Sequence, residues 1–342
     1  MAEPVSDRQR QILERVVEEF VLTGHPVGSK SLVERSGLNV SPSTVRADFA
    51  ALEARGLLTH PHTSAGRIPT ERGYRLYAET LLEQPDPQTA LFPLRLSGGT
   101  SELEGALEAT TEALAEVTRL LALVSAPPLG TSVVRHVEVL LLQPQVVMVV
   151  VITSTGGVTK RVVGFDNRVD PGLAMWAHEY LNDAVVGIRL GTHALRRRFE
   201  DPALRRSERE FLSTLRPAFE APEEGERRVF VGGAAALLGA ARADELEACH
   251  RVLEVLEQRA AVLALVGRAL EPRRTFVRVG NVGHPALRDV SLVAASYGTV
   301  NLPLGSVGLL GPVRMDYEKA IRAVRAAAVE LSAFLEEVYT DN

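Results

Sequence analysis

The chain has 342 residues, 46% of them hydrophobic, a formal net charge of −5 at pH 7 and one cysteine, Cys249. This length predicts two or three domains with sizeable cores, and the negative charge excludes a protein that coats nucleic acid through bulk attraction. One cysteine excludes an internal disulfide framework, and without a leader pattern or an apolar run near ~20 residues we expect a cytoplasmic protein with no membrane span.

The first two helices are predicted from capping residues and apolar spacing. Ser6 and Asp7 are typical of a helix start, and an apolar stripe follows at positions 12, 16 and 20 before Gly24 ends the helix. Ser29 predicts the start of a short second helix, and Gly37 supplies the turn after it. This order of helix, turn and helix leads into the segment with the strongest functional signal.

That segment is a third helix. The Ser41 hydroxyl can accept hydrogen bonds from the first amides of a helix, and Pro42 has the backbone angle favoured at the first helical position. Positions 45, 49 and 52 form an apolar face, so the opposite face of the first turns presents Ser43, Thr44 and Arg46. Small and hydroxyl side chains let a helix approach the major groove, and an arginine can bind a guanine edge. We predict that these three residues read bases.

Two short extended segments, 57–60 and 67–69, come after the third helix, with turn residues between them. Thr70 then predicts the start of a fourth helix. A helix followed by such a strand pair is typical of a winged helix, although the same pattern also occurs in folds that bind no nucleic acid. From 28 to 77 there are seven basic and four acidic residues, so the local positive excess is modest.

The wing residue Arg67 is predicted to enter a minor groove or contact phosphate, with His60 and His62 as secondary contacts. Lys30 and Ser41 are predicted to hold phosphate or minor groove and so fix the register of the protein on DNA. The full predicted DNA-binding set is therefore Lys30, Ser41, Ser43, Thr44, Arg46, His62 and Arg67.

Five motifs resemble one known family. The segments GHPVGSKSL at 24–32, SPSTVRADFAALEARGLL at 41–58 and PHTSAGRIPTERGYRLY at 61–77 are similar to the N-terminal domain of the heat-inducible transcription repressors (HrcA). DVSLVAASYG at 289–298 and GSVGLLGPVRMDY at 305–317 resemble that family's closing strands and last helix. Where the family tends to have an acidic pair and an asparagine after a glycine, this chain has Gly280-Asn281-Val282-Gly283, so any role of those acidic residues is not carried over.

After a first domain at 1–83, three prolines and two glycines in the stretch 84–99 predict an extended connector that couples this domain only weakly to the rest. Apolar residues then recur at four-three spacing in three places, which predicts helices over 103–124, 246–263 and 317–338. Either each helix packs on a sheet of its own chain, or one of them forms part of an interface between subunits.

Valine-rich stretches predict two β-hairpins from strands at 133–142, 146–154 and 158–165, and three further strands at 274–279, 291–296 and 305–310. Because predicted strands flank the stretch from about 168 to 228 on both sides, the simplest topology is a mixed α/β domain interrupted by an inserted segment. The resemblance implies the same, a GAF-like mixed α/β domain at 100–167 and 229–342 with an inserted dimerisation domain at 168–228. The predicted class is thus α+β, with an N-terminal winged helix-turn-helix domain.

Within the predicted insert, Trp176 and Tyr180 share a helical face. We predict that they contribute to a dimer, because large aromatic residues are enriched at interface centres, although core packing explains Trp176 equally well. Six arginines between 196 and 209 suggest a second DNA site, but four acidic residues lie among them. That mixture is more typical of a solvated helix with internal ion pairs.

No cofactor, metal or catalytic set is predicted, because the eight histidines are scattered and the glycine pairs lack the partners of a phosphate loop. We predict a dimeric, sequence-specific repressor that binds an inverted repeat in double-stranded DNA. The resemblance implies that this operator precedes chaperone operons and that the GroEL chaperonin keeps the repressor active until heat stress. The alternatives are a winged-helix regulator that senses a small molecule in its GAF-like domain, and an enzyme that uses the winged helix only for interaction.

Overall fold

The structure is a computed structural model that describes residues 5–37, 39–61, 66–84, 103–127, 133–154, 157–220, 228–240, 245–257, 275–280, 289–299 and 302–340. These residues form three parts. The N-terminal unit comprises the described residues from 5 to 84. The three-stranded unit comprises those from 133 to 220, and the five-stranded unit comprises those from 103 to 127 and from 228 to 340.

The N-terminal unit consists of helices and one short strand pair. Its elements are α1 (Asp7–Thr23), α2 (Ser29–Ser36), α3 (Pro42–Ala54), β1 (Leu58–Thr59), β2 (Ile68–Pro69) and α4 (Glu71–Glu83). β1 and β2 pair antiparallel. Of the predicted connector 84–99, only Gln84 belongs to the described residues.

Three predicted helix starts in this unit are confirmed by their caps. Ser6 forms a capping box with Gln9 at the start of α1. The Ser41 hydroxyl accepts a hydrogen bond from the Thr44 N–H at 3.1 Å, and the Thr70 hydroxyl accepts one from Gly73 at 3.1 Å. Each hydroxyl satisfies an amide that has no carbonyl partner in the first helical turn.

The remaining elements follow in chain order: α5 (Leu103–Thr118), β3 (Leu121–Ser125), β4 (Val134–Gln143), β5 (Val146–Thr153), β6 (Val158–Gly164), α6 (Pro171–Val185), α7 (His193–Phe199), α8 (Arg206–Leu215), β7 (Val229–Gly232), α9 (Ala234–Ala240), α10 (Leu246–Glu257), β8 (Phe276–Arg278), β9 (Val290–Thr299), β10 (Leu302–Pro312) and α11 (Tyr317–Thr340). The last three strand predictions and the last helix prediction are confirmed by β8, β9, β10 and α11.

The five-stranded unit is an antiparallel sheet in the order β7-β3-β10-β9-β8. Helices α5 and α11 pack against this sheet, and α11 buries residues along its length, including Ile321, Val324 and Leu331. The four-three spacing of α11 is therefore used within the chain for packing on the sheet. The predicted helix at 246–263 is described as α10 up to Glu257, and residues 258–263 lie outside the described residues.

One helix prediction was too long. The apolar spacing predicted a helix from 103 to 124, whereas α5 ends at Thr118 and β3 begins at Leu121. Arg119 has a left-handed backbone with φ 59°, which ends the helix there. All five residues of β3 are buried, and helices α5 and α9 pack against the strand in addition to its two neighbouring strands. Its apolar run therefore also matched the helical spacing.

The two predicted hairpins are confirmed, but their expected place in the GAF-like domain is wrong. β4, β5 and β6 form a separate three-stranded antiparallel sheet, and its strands do not pair with the five-stranded sheet. This sheet packs against α6, α7 and α8 in its own apolar core, which contains Val149, Leu181 and Leu212. The strands belong with the helices of the predicted insert because both contribute to that core.

The N-terminal unit and the five-stranded unit share one continuous apolar core. The Tyr317 ring of α11 lies 5.9 Å from the Tyr74 ring and 6.5 Å from the Tyr77 ring, both on α4. Arg75 donates a hydrogen bond to the Val279 carbonyl at 3.1 Å. The weak coupling that we expected from the connector is therefore wrong, because α4 packs directly on the five-stranded unit whatever the connector does.

Candidate DNA-binding surface

The first turn of α3 presents a row of hydroxyl groups. The Ser41 hydroxyl lies 2.7 Å from the Ser43 hydroxyl and 2.9 Å from that of Thr44. Ser41 and Ser43 are exposed and Thr44 is half-buried. Ser41 was predicted as a DNA contact, and in this structure its hydroxyl is also the helix cap, so it fixes where α3 begins.

Arg46 is exposed one turn further along α3 and reaches back to α2. Its Nε donates a hydrogen bond to the Ser29 hydroxyl at 3.3 Å. Lys30 follows Ser29 on α2 and is exposed as well. The structure therefore brings four predicted residues, Ser43, Thr44, Arg46 and Lys30, to neighbouring positions at the starts of α2 and α3. The resulting surface carries two cations and two hydroxyls.

Arg67 lies at the entrance to β2, where its backbone is fixed by pairing with Val27. The Val27 N–H donates to the Arg67 carbonyl at 2.9 Å, and the Arg67 N–H donates to the Val27 carbonyl at 2.8 Å. The Arg67 guanidinium is directed to α3, where its Nη2 lies 2.9 Å from Glu53 Oε2. The side chain is only 23% exposed, so a phosphate would have to compete with Glu53 for it.

Sequence reasoning did not identify Glu53, which links the β1–β2 strand pair to α3. Its carboxylate contacts both Arg67 and the Nδ1 atom of His60, one from each side of the strand pair. Its position, the last residue but one of α3 and directly before the turn that leads into β1, was the only available signal. His62, the other predicted wing contact, lies outside the described residues.

Asp48 is a second residue that the sequence reasoning missed. It is 3% exposed on the inner face of α3, and its carboxylate accepts hydrogen bonds from Arg8 Nε at 2.9 Å and Arg8 Nη2 at 3.2 Å. The hydrogen bond to Asp48 raises the pKa of the Arg8 guanidinium. This pair fastens α1 to α3 and so fixes the helix that carries Arg46. Its position between Val45 and Leu52 on the apolar face could have revealed it.

Trp176 and Tyr180 lie on α6 in the three-stranded unit. Their rings stack at 5.2 Å, and both pack partly against the core of that unit. The Tyr180 hydroxyl donates to the Arg198 carbonyl at 2.7 Å, and burial raises its pKa. Their predicted role in a dimer stays a prediction.

The arginine-rich stretch of the same unit contains ion pairs. Arg206 Nε lies 2.8 Å from Glu210, and Arg205 Nε lies 3.6 Å from Glu208. The hydrogen bond that Arg206 donates to the Glu210 carboxylate raises the pKa of the Arg206 guanidinium. These contacts agree with the interpretation of a solvated surface with internal ion pairs.

Within the described ranges we looked for metal-binding groups and for membrane-spanning helices. No group of three histidine, cysteine or acidic side chains within them could hold a metal ion. No helix among them is long and apolar enough to cross a membrane.

Comparison with known proteins identifies the class as transcriptional repressors. A family model described as the HrcA protein C-terminal domain matches residues 104–321. A heat-inducible transcription repressor HrcA from Parafrankia sp. (strain EAN1pec) is 38% identical over 332 residues, covering 95% of this chain and 97% of its own. One from Frankia casuarinae is 39% identical over 338 residues with the same coverage. The chain belongs to the HrcA family.

The fold is also similar to a solved structure. A crystal structure of a hypothetical protein at 2.2 Å resolution has a TM-score of 0.66 and 24% sequence identity, covering 98% of this chain and 100% of its own. At this identity the likeness supports the fold alone.

Proposed function

We propose that the chain is a heat-inducible transcription repressor whose N-terminal unit is a winged helix-turn-helix that binds operator DNA. The observation that carries this is the exposed group at the starts of α2 and α3, with Arg46, Ser43 and Lys30 beside a two-strand wing. Membership of the HrcA family supports it, because the relatives carry that repressor name. The five-stranded unit is proposed to be the GAF-like domain.

The residues of this surface are assigned different roles. Ser43, Thr44 and Arg46 read base edges, since they lie in the first turns of the helix that would enter the major groove. Lys30, Ser41 and Arg67 contact the phosphates or the minor groove of the DNA. They fix the position of the protein along the DNA and contribute little to the recognition of particular bases. Arg46→Ala is expected to cost about 1–3 kcal/mol and to blur preference at one base pair, whereas Lys30→Ala weakens all sequences alike. A uniform loss from Arg46→Ala would contradict the assignment.

The experiment that tests the function is a gel-shift titration of the full chain over a salt series. One duplex carries the inverted repeat found upstream of chaperone operons, and its control has one half-site scrambled. A dimeric repressor binds tightly only when both half-sites are intact. Salt-sensitive binding that ignores the scramble would leave only a generic DNA-binding module.

We also propose that heat controls repression through the GroEL chaperonin, which would keep the repressor in its binding-competent form. During heat stress unfolded clients would occupy the chaperonin, and repression would be lost. Operator affinity after mild heating should therefore be higher with chaperonin present than without it. Equal affinities would remove the chaperonin from the mechanism.

A homodimer follows from the half-site arrangement, and the three-stranded unit offers a surface for it. The face of its sheet that points away from α6, α7 and α8 includes Leu140, Val158 and Val162, which are 41%, 62% and 55% exposed. Met148, Val150 and Ile152 from the middle strand share this face. An apolar sheet face of this kind is typical of an interaction site.

The charges on this face favour a second copy of the chain as its partner. Glu138 on β4 and Lys160 on β6 both lie opposite Val150 on β5, one on each side. The Glu138 carboxylate already lies 2.8 Å from His136 Nε2 and 3.5 Å from Nδ1 of His178, which reaches this edge of the sheet from α6, so a partner's lysine would share the carboxylate with these two histidines. A two-fold axis along β5 places each Glu138 over the partner subunit's Lys160 and Val150 over its own copy. The face is thus self-complementary, as a closed dimer requires. On this basis we extend the inserted dimerisation domain to 133–220.

Charge reversal tests this dimer. Glu138→Lys puts like charges together in both pairs and should shift the protein to monomer, while the double variant Glu138→Lys, Lys160→Glu should restore the dimer. Sedimentation gives the oligomeric state. Trp176→Ala tests the alternative interface around Trp176 and Tyr180 on α6. If Trp176→Ala dissociates the dimer and Glu138→Lys does not, the interface lies on α6 instead.

A second candidate function is regulation by a small molecule. It is favoured by one observation, a cavity between the N-terminal unit and the five-stranded unit. A ligand there should raise the melting temperature of the protein.

A further inference from the structure

The cavity has a volume of about 180 Å³ and lies at the junction of the two units that share a core. From the N-terminal unit, Val21 of α1 lines the cavity. From the five-stranded unit, apolar surface is contributed by Leu120, Leu237 and Met315. An engineered apolar cavity of about 150 Å³ is known to hold benzene. This pocket is half open to solvent and its lining is as polar as it is apolar, so by volume it admits a body of about that size that keeps a polar group towards the charged side.

Charged residues line one side of the cavity. Three are cationic, Arg119, Arg314 and Lys319, and two are acidic, Glu245 and Asp316. Both acidic residues already have partners, since Glu245 lies 3.6 Å from Arg314 and Asp316 Oδ1 accepts a hydrogen bond from the Lys319 backbone N–H at 2.9 Å. Arg119 and Lys319 make no side-chain ion pair within the described part of the chain.

Two helices add to the positive potential at this side. α10 begins directly after Glu245 and α11 begins directly after Asp316, so the amide ends of both helices meet the cavity wall. The N-terminus of a helix carries a partial positive charge that favours anions. Glu245 and Asp316 already stand at these two helix starts, so the positive charge left for a ligand comes from Arg119 and Lys319, and it matches one carboxylate.

A ligand in this cavity would contact both units. Val21 belongs to α1, and the guanidinium of the lining residue Arg314 lies 4.8 Å from the ring centre of Phe20, the neighbouring residue of α1. A ligand that fills the cavity would therefore add contacts at the interface between the N-terminal unit and the five-stranded unit. A ligand that stabilises one arrangement of two units shifts the population towards it.

We propose that this cavity binds a small organic anion with a benzene-sized apolar body and one carboxylate, and that the bound anion strengthens the docking of the N-terminal unit. The proposal deepens the second candidate function, ligand regulation. Its binding test uses no DNA, so its failure is distinct from a failure of operator binding.

The probes are benzoate and benzamide, which share a shape and differ in charge. Benzoate should raise the melting temperature of the full chain as its concentration increases, and benzamide should not. Arg119→Gln and Lys319→Gln should each weaken benzoate binding by about two- to fivefold, because both side chains are exposed and water screens their charge. Arg196→Gln, an exposed change in the three-stranded unit, is the matched control and should leave benzoate binding unchanged.

Three results would overturn the binding site: no shift with benzoate, an equal shift with benzamide, or benzoate binding that neither Arg119→Gln nor Lys319→Gln weakens. Operator titration with and without benzoate then tests the coupling. A change in operator affinity that disappears in Lys319→Gln supports it, and an unchanged affinity at saturating benzoate overturns it.

Discussion

At the scale of single residues, Gly73 shows how closely two elements of the N-terminal unit approach. A Cβ atom at this position would lie 2.1 Å from the Leu57 carbonyl oxygen. Gly73→Ala should therefore lower the free energy of unfolding by about 1–3 kcal/mol, because helix and strand must move apart. A Cβ atom at Gly105 in α5 would have no other atom within 4 Å. Gly105→Ala should therefore raise the free energy of unfolding by up to ~1 kcal/mol, because alanine favours the helix more than glycine does. Denaturant unfolding measures both, and equal signs would contradict the close approach.

Tyr317 predicts a loss of stability at alkaline pH. Burial raises its pKa, and its hydroxyl donates to the Val313 carbonyl at 2.6 Å. A tyrosine in the unfolded chain loses its proton near pH ~10, while folded Tyr317 keeps it. The unfolded state then binds fewer protons, so the free energy of unfolding falls as pH rises above about 10.

The variant Tyr317→Phe isolates that contribution. It removes the hydrogen bond to Val313 and the contact of the Tyr317 hydroxyl with the Ser291 hydroxyl at 2.8 Å, which should cost about 1 kcal/mol at neutral pH. It should also make the free energy of unfolding fall less steeply between about pH 10 and 11. Urea unfolding at pH 7, 10 and 11 compares the two proteins. Parallel declines would show that other groups cause the alkaline loss.

At the scale of elements, one side chain completes the edge of the three-stranded sheet. Asn182 on α6 donates from Nδ2 to the Val137 carbonyl at 2.7 Å and accepts from the Val137 N–H at 3.1 Å. It therefore takes the place of a neighbouring strand for that residue of β4. Asn182→Ala should lower the free energy of unfolding by about 1–3 kcal/mol, since two partly buried backbone groups lose their partner. Asn167→Ala, at an exposed position, is the control, and similar losses in both would contradict this role.

The elements also show what local sequence patterns can and cannot predict. The starts of α1, α3 and α4 were predicted because Ser6, Ser41 and Thr70 form caps within the helices that they begin. The end of α5 was not, because the buried strand β3 continues the apolar spacing of the helix. Whether an apolar run forms a central strand depends on partners distant in sequence, such as β7 and β10.

The candidate site divides in the same way. Exposed residues on α3 were predictable, because capping and the apolar face orient Ser43 and Arg46. The contacts of Glu53 and Asp48 were not, because each partner comes from another element: Arg67 returns through the wing, and Arg8 lies 40 residues earlier. A pattern within one helix shows which face is inward, but it does not show which charged residue from elsewhere meets it.

At the scale of the whole molecule, the direct docking of α4 changes how heat could act on the repressor. A flexible connector would let the N-terminal unit move without any change in the body. Instead, Tyr74, Tyr77 and Tyr317 join it to the five-stranded unit in one core. The placement of the N-terminal unit is thus tied to the integrity of that core, and if this unit binds the operator as proposed, loosening of the core should weaken operator binding directly.

Two separate apolar cores predict two unfolding transitions. The joined core contains Tyr74, and the core of the three-stranded unit contains Val149. Each variant, Tyr74→Ala and Val149→Ala, should lower only the transition of its own core, by about 2–4 °C per kcal/mol lost for the larger joined core and about 4–8 °C for the smaller three-stranded unit. Scanning calorimetry resolves the two transitions, and the temperature at which operator binding is lost should follow the joined core in Tyr74→Ala. If both variants shift a single common transition, the two cores unfold together and heat sensing cannot be assigned to either one.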